Sequence, residues 1–243
     1  MAPRIRDESK RFQRTTLERR RRWWILIGSS VGIVLIVIGI SLSPLFTLKT
    51  IEVKGRSSVA EKVIAGAAVD QVGVPLALID FESIRQRLTS VVKIQSFSTE
   101  IQPPDTLVIR VIERTPIGAI AVNDGWEVVD SAGVVIDSVK NAPTSIPELR
   151  VSGVDDPQFQ NITQTLLLIP SDLRKRIGII AAESRDSIRF TLRDLACEVV
   201  WGSIEGSQLK AIMLSRAIDE LAKESGSYVI DVSAPENIVM RKV

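Results

Sequence analysis

The sequence predicts an α+β chain: a single transmembrane helix, then a β-α-α-β-β unit, then a mostly antiparallel β domain with flanking helices. Three observations predict it. The stretch Trp23–Leu42 holds no charged residue, and twelve of its twenty residues are Leu, Ile or Val. Between residues 50 and 113 the apolar period switches from two to about 3.6 and back. Beyond residue 117 short alternating runs follow one another, interrupted by helical stripes.

The apolar stretch comes first in the chain. At about 1.5 Å per residue, twenty helical residues span roughly 30 Å, the thickness of a bilayer's hydrocarbon core. A cleaved signal sequence has an apolar region of only about 7–15 residues; Ser41-x-Ser43 offers its small-x-small pattern, but the run is too long. Residues 1–22 carry nine Lys or Arg against three Asp or Glu, leaving 22 basic and 26 acidic residues beyond. The positive-inside rule keeps that basic tail cytoplasmic and sends the C-terminal part outside. Trp23 and Trp24 fall at headgroup level. Gly28 and Gly32 form a small-xxx-small pair, a weak signal for packing against another membrane helix. Segments 1–22 (tail) and 23–43 (transmembrane helix) follow from these features.

Composition excludes much chemistry. The chain has 0 His and 1 Cys, which removes Ser-His-Asp and Cys-His catalysis, most zinc sites and any internal disulfide. No phosphate-cradling glycine loop occurs. Cys197 lies in a strand-like run and reads as a small buried hydrophobe. The pair Asp155-Asp156 precedes Pro157 and reads as a helix cap rather than a catalytic dyad. Asp130 and Asp137 bracket a hairpin and read as turn or surface groups. The expectation is therefore no enzyme, with no catalytic residue, metal ligand, cofactor or small-molecule substrate. The basic tail has no interleaved aromatics, so nucleic acid is not an expected partner either.

Outside the span, Thr50–Lys54 alternates and stops at Gly55. Ser58-x-x-Glu61 predicts a capping box, with Val59, Val63, Ile64 and Ala67 on one helical face. Asp80 caps a second helix carrying Ile84, Leu88 and Val91. Ile94–Gln102 and Leu107–Glu113 are strands joined by Pro103-Pro104-Asp105. Further on, Trp126–Val129 and Val134–Asp137 flank the turn 130–133. A helix is expected over 157–169 with Ile162, Leu166 and Ile169 inward, then a short basic turn through Arg176 capped by Ser171-Asp172. Strands at 177–183, 187–192 and 195–201 form a meander. The helix 208–224 places Leu209, Ile212, Met213, Arg216, Ala217 and Leu221 on one side, and strands at 228–232 and 238–241 close the chain.

Ile51-x-Val53-x-Gly55, Gly73-x-Pro75-Leu76 and Leu107-x-Ile109-x-Val111-x-Glu113-Arg114-x-Pro116 together resemble a POTRA domain, and more narrowly that of the FtsQ/DivIB family of bacterial cell-division proteins. The resemblance continues through Trp126–Ile136, Ile146-Pro147-Glu148-Leu149 and Ile230–Arg241. It implies a POTRA domain over 46–116 and a family-type β domain over 117–243. It further implies a division scaffold at the septum. The implied partners are FtsB- and FtsL-type coiled-coil membrane proteins and, through them, the septal peptidoglycan synthases. The family mode of contact is strand addition to the last strand. Here Asn237, Ile238, Val239, Met240 and Arg241 are the expected partner edge, with 228–232 behind them. The sequence stops at Val243, so no long tail is expected to cover it. A proline at 239 is expected to remove a ladder donor. The alternative reading is a POTRA-type assembly factor for exported chains.

Overall fold

The computed structural model describes residues 8–55, 57–221, 226–234 and 236–243, with side chains from Trp23 onward. Arg4, Arg6, Asp7, Pro235 and the last turn of the expected 208–224 helix lie outside the described residues. Two compact units are present, Met1–Glu113 and Arg114–Val243.

The first unit begins with one unbroken helix, α1 (Glu8–Ser41), so the described part of the basic tail and the apolar stretch share one axis. Its segment Trp23–Ser41 is long and apolar enough to cross a membrane, and none of it is buried. After the 3-10 turn Pro44–Phe46 come β1 (Thr50–Lys54), α2 (Glu61–Gly66), α3 (Phe81–Thr89), β2 (Ile94–Gln102) and β3 (Thr106–Glu113). The sheet order is β1-β3-β2, with β1 and β3 parallel and β2 antiparallel to β3. The α2–α3 segment joins β1 to β2 on the two borders of the sheet, and β2 then turns back at 103–105 so that β3 fills the middle, parallel to β1. Leu107, Ile109 and Val111 point into the helices and are buried with Ile64, Ile84 and Leu88. Gly55 ends β1 at φ +82, where a Cβ would lie 2.3 Å from the Val111 carbonyl oxygen. Both the backbone angle and the space there require glycine.

The expected capping box does not form. The residue before α2 is Ala60, which caps nothing with its side chain. Ser58 instead turns to the far end of β3. The Glu113 carboxylate accepts from the N–H groups of Ser57 (2.6 Å), Ser58 (2.8 Å) and Val59 (3.1 Å), and from the Ser58 hydroxyl (2.6 Å). A charged acceptor for three backbone donors outcompetes a neutral hydroxyl–amide cap. Val63 is exposed as a result, while Val59, Ile64 and Ala67 are buried as expected. Burial alone would raise the Glu113 carboxyl, but the Ser58 hydroxyl and the three amides outweigh it and hold it at about 2, below its usual 4.5. A depressed folded-state value means the stabilisation is complete above pH 4.5 and fades as pH falls toward 2. Glu113→Gln is therefore expected to lower the melting temperature at neutral pH, by a loss of about 1–2 kcal/mol. The gap between the two proteins should narrow below pH 4.5 and close only as pH falls through about 2, as melting curves across that range would show.

The second unit contains β4 (Gly118–Val122), β5 (Gly125–Val129), β6 (Val135–Val139), β7 (Glu148–Arg150), α4 (Pro157–Leu168), α5 (Ser171–Arg176), β8 (Ile177–Ala182), β9 (Ile188–Leu192), β10 (Cys197–Gly202), α6 (Ser207–Leu221), β11 (Tyr228–Asp231) and β12 (Val239–Lys242). All nine strands form one sheet, ordered β12-β11-β10-β9-β8-β7-β4-β5-β6. Most neighbours are antiparallel, but β10–β11, β7–β8 and β4–β7 are parallel. Strands β4 and β7 were not expected as such: Gly118-Ala-Ile-Ala-Val122 is small and unpatterned, and three residues are too few to show a period. Phe159, Ile162 and Leu166 of α4 share one core with Leu214 and Ile218 of α6 and with Ile180, Phe190, Val199, Trp201 and Ile230 of the sheet.

Three details depart from the sequence expectations. Asp130 is the turn group expected, but buried rather than on the surface: it accepts from Ala132 N (3.0 Å) and Val134 N (2.8 Å) within the turn and pairs with Arg114 at 2.7 Å. Pro170, not Ser171 or Asp172, precedes α5, and no side chain caps it. The buried face of α6 is Lys210, Ala211, Leu214, Ala217, Ile218 and Leu221, which leaves Leu209 and Ile212 in solvent. The stripe is rotated because Lys210 is drawn inward, where its Nζ donates to the carbonyls of Trp201 (3.0 Å) and Ser203 (2.8 Å). Asp156 does cap α4, through Gln158 N at 2.8 Å.

Candidate partner-binding edge

The last strand is short and β-branched at its start, and it forms one border of the nine-stranded sheet. Two connections bring it there. After α6 the chain enters β11, which pairs with β10 in parallel; Tyr228 N donates to Ala196 O and Val232 N to Val200 O. Then 232–238 reverses direction. Asp231 Oδ1 accepts from Ser233 N (2.9 Å) and Ser233 Oγ (2.6 Å), and Asn237 N donates to Ala234 O (2.9 Å). These local bonds turn the strand back without a two-residue hairpin.

The five residues expected to form the edge fall into two groups. Asn237 lies in the turn, and Ile238 is partly buried against the core. Val239, Met240 and Arg241 are in β12, which continues through Lys242. The alternation simply runs one residue further than its apolar members, which is why Lys242 was missed. All four strand residues are exposed.

The register sorts their backbone groups. β12 pairs antiparallel with β11: Tyr228↔Lys242, Val229↔Arg241, Ile230↔Met240, Asp231↔Val239. Val243 N donates to Ser227 O at 2.9 Å. Hydrogen-bonded and non-hydrogen-bonded pairs alternate along such a ladder. Val239 and Arg241 therefore direct their N–H and C=O groups inward, toward β11. Met240 and Lys242 direct theirs outward, where no strand pairs with them among the described residues. A proline at Val239 would thus remove an internal bond, not an outward donor.

Side chains divide by the same parity. Lys242 lies opposite Tyr228, with its Nζ 5.7 Å from the ring centroid. Val239 and Arg241 are on the other face, beside Val229 and Asp231. Next to this edge, Cys197 is buried and burial raises its thiol, which keeps it protonated and unreactive. Among the described residues no cluster of His, Cys, Asp or Glu is arranged to hold a metal ion. Gly28 and Gly32 sit on α1 with nothing within 4 Å of where a Cβ would be, so both are open to a neighbour.

Comparison with known proteins locates this architecture. Residues 46–114 match the model of an FtsQ-type POTRA domain. The chain is similar to the cell division protein FtsQ of Mycolicibacterium smegmatis, with 27% identity over 234 residues, 95% of this chain and 68% of that one. It is also similar to FtsQ of Mycobacteroides abscessus, with 29% identity over 212 residues, 85% of this chain and 66% of that one. The match thus spans about two thirds of the relatives' own length. A solved structure, the major extracytoplasmic domain of the trans isomer of DivIB from Geobacillus stearothermophilus, aligns with 18% identity and a TM-score of 0.35, over 46% of this chain and 98% of that one. The chain thus carries an FtsQ-type POTRA domain over residues 46–114 and, over most of its length, is similar to bacterial cell-division proteins named FtsQ.

Proposed function

We propose that the chain is a non-enzymatic scaffold of the bacterial division machinery. Its tail, residues 1–22, is cytoplasmic; residues 23–43 cross the inner membrane; a POTRA domain (46–116) and a β domain (117–243) lie outside, at the septum. The partners are FtsB- and FtsL-type coiled-coil proteins, which connect it to septal peptidoglycan synthesis. A strand of such a partner adds to β12, and Gly28 and Gly32 offer the span a second, helix-to-helix contact. The observation that carries this reading is the open outer side of β12, with the backbone groups of Met240 and Lys242 unpaired by any strand among the described residues. Such an edge is a template for another chain unless something occupies it. Charge supports the direction of insertion, since nine basic residues precede the span.

Site-specific photocrosslinking in growing cells tests it. A photoreactive residue at Val239, exposed on β12, is expected to capture a small coiled-coil membrane protein. One at Lys175 of α5, also exposed, is expected not to. Capture of many unfolded exported chains at Val239 would instead favour an assembly factor. Equal capture at both positions would remove β12 as the interface.

A further inference from the structure

The POTRA unit begins within a few residues of the span. α1 ends at Ser41, and the chain reaches Thr47 through the 3-10 turn Pro44–Phe46. Two segments remote in sequence are tied to the next four residues. Thr47 bridges Pro75, Leu48 N donates to Val74 O (2.9 Å), and Gly73 N donates to Leu48 O (2.8 Å). Lys49 N (2.8 Å) and Thr50 N (3.1 Å) both donate to Asp105 O. The connections 69–78 and 103–105 are therefore fastened to the membrane-proximal start of β1. Six residues, 42–47, separate this point from the helix, a reach of about 20 Å even if fully extended.

This end of the unit is unusually apolar on its outside. Leu45 is 69% exposed, Val69 62%, Val72 48% and Leu78 62%. Pro103 and Pro104 are exposed as well. The core does not need these side chains, because Leu76 and Ile79 of the same segment fill it. The acidic residues among them are neutralised. Asp70 is held by Arg87 (NH2 to Oδ2 2.9 Å), and Asp105 lies 3.6 Å from Lys49. Outward apolar groups with their neighbouring acids paired suit the headgroup layer, where apolar side chains gain burial and unpaired carboxylates would meet anionic lipid.

We propose that this end of the POTRA unit rests in the interfacial layer of the bilayer that α1 spans, with Leu45, Val72 and Leu78 in lipid. The inference depends on α1 being a membrane span. The short connection is what selects lipid as the occupant: the patch is held at the bilayer surface permanently, so a weak affinity per side chain is enough. The domain is then oriented by two fixtures, the helix and the patch, rather than swinging on a linker.

The full-length protein in phospholipid nanodiscs tests this. Cys197→Ser removes the one cysteine. Single cysteines at Val72, Leu78, Ile36 and Lys62 then carry an environment-sensitive fluorophore, and quenching by nitroxide-labelled lipid is measured. Ile36 lies within the span, and Lys62 is exposed on α2, which follows the far end of β1. Val72 and Leu78 are expected to lose about half their emission or more, as an interfacial residue does, with Lys62 unchanged. If Ile36 is quenched while Val72 and Leu78 behave like Lys62, the patch is in water and the proposal is overturned. If Ile36 itself is unquenched, the span reading fails and takes the proposal with it.

Discussion

Met240→Pro is expected to weaken binding of a partner strand about 100-fold while leaving the fold intact. Its N–H points away from β11, so proline removes no internal bond. It does remove an outward donor, and its ring obstructs the approaching strand. A lost ladder bond contributes about 1 kcal/mol and the obstruction more, and each 1.4 kcal/mol is tenfold in affinity. Met240→Ala keeps the donor and should bind nearly normally. Val239→Pro, which breaks a bond to Asp231, should loosen the strand itself and lower the melting temperature. Titration of the purified full-length variants with an FtsB-type coiled-coil protein, beside melting curves, separates these outcomes. Unchanged affinity for folded Met240→Pro would mean the partner does not add a strand here.

Trp201→Ala is expected to be the most damaging single substitution in the β unit. The side chain is fully buried, its ring 5.7 Å from Phe190, and the Lys210 ammonium lies 5.9 Å from the indole centroid. Truncating a buried tryptophan costs about 3–5 kcal/mol, much of it from the cavity left behind. Here the cavity would also open beside a buried ammonium whose pKa burial already lowers. A fall in melting temperature of about 10 °C or more follows for a unit of this size. Trp201→Phe should cost far less. The indole Nε1 has no hydrogen-bond partner among the described residues, so phenylalanine sacrifices only part of the volume. If the two variants melted alike, the loss would not be one of packing.

Much of this structure was readable because period and punctuation agreed. Thr50–Lys54 and Ile94–Gln102 match their strands at both ends, and Asp80 and Asp156 cap the helices they precede. What stayed hidden depends on partners far away in sequence. Ser58 had the spacing of a cap, but nothing local revealed that Glu113, 55 residues on, would claim it. Asp130 looked like a turn residue and is one, yet Arg114 also draws it inside. The stripe of α6 is displaced because Lys210 faces inward, where its ammonium finds the carbonyls of Trp201 and Ser203, a partnership no local pattern reveals. At the edge the sequence located the strand, while the outward roles of Met240 and Lys242 required the register with β11.

The parallel pairing of β10 with β11 has a consequence for timing. β12 touches the sheet only through β11, and β11 can dock only after α6 has carried the chain back across it. Pairing of this non-local kind is slow, because loop closure precedes the contacts that reward it. The surface that would meet a partner thus forms only after β11 has docked on β10. A molecule in which β11 has not docked presents no β12 border, so an incoming strand would find one only after α6 has returned the chain to the sheet.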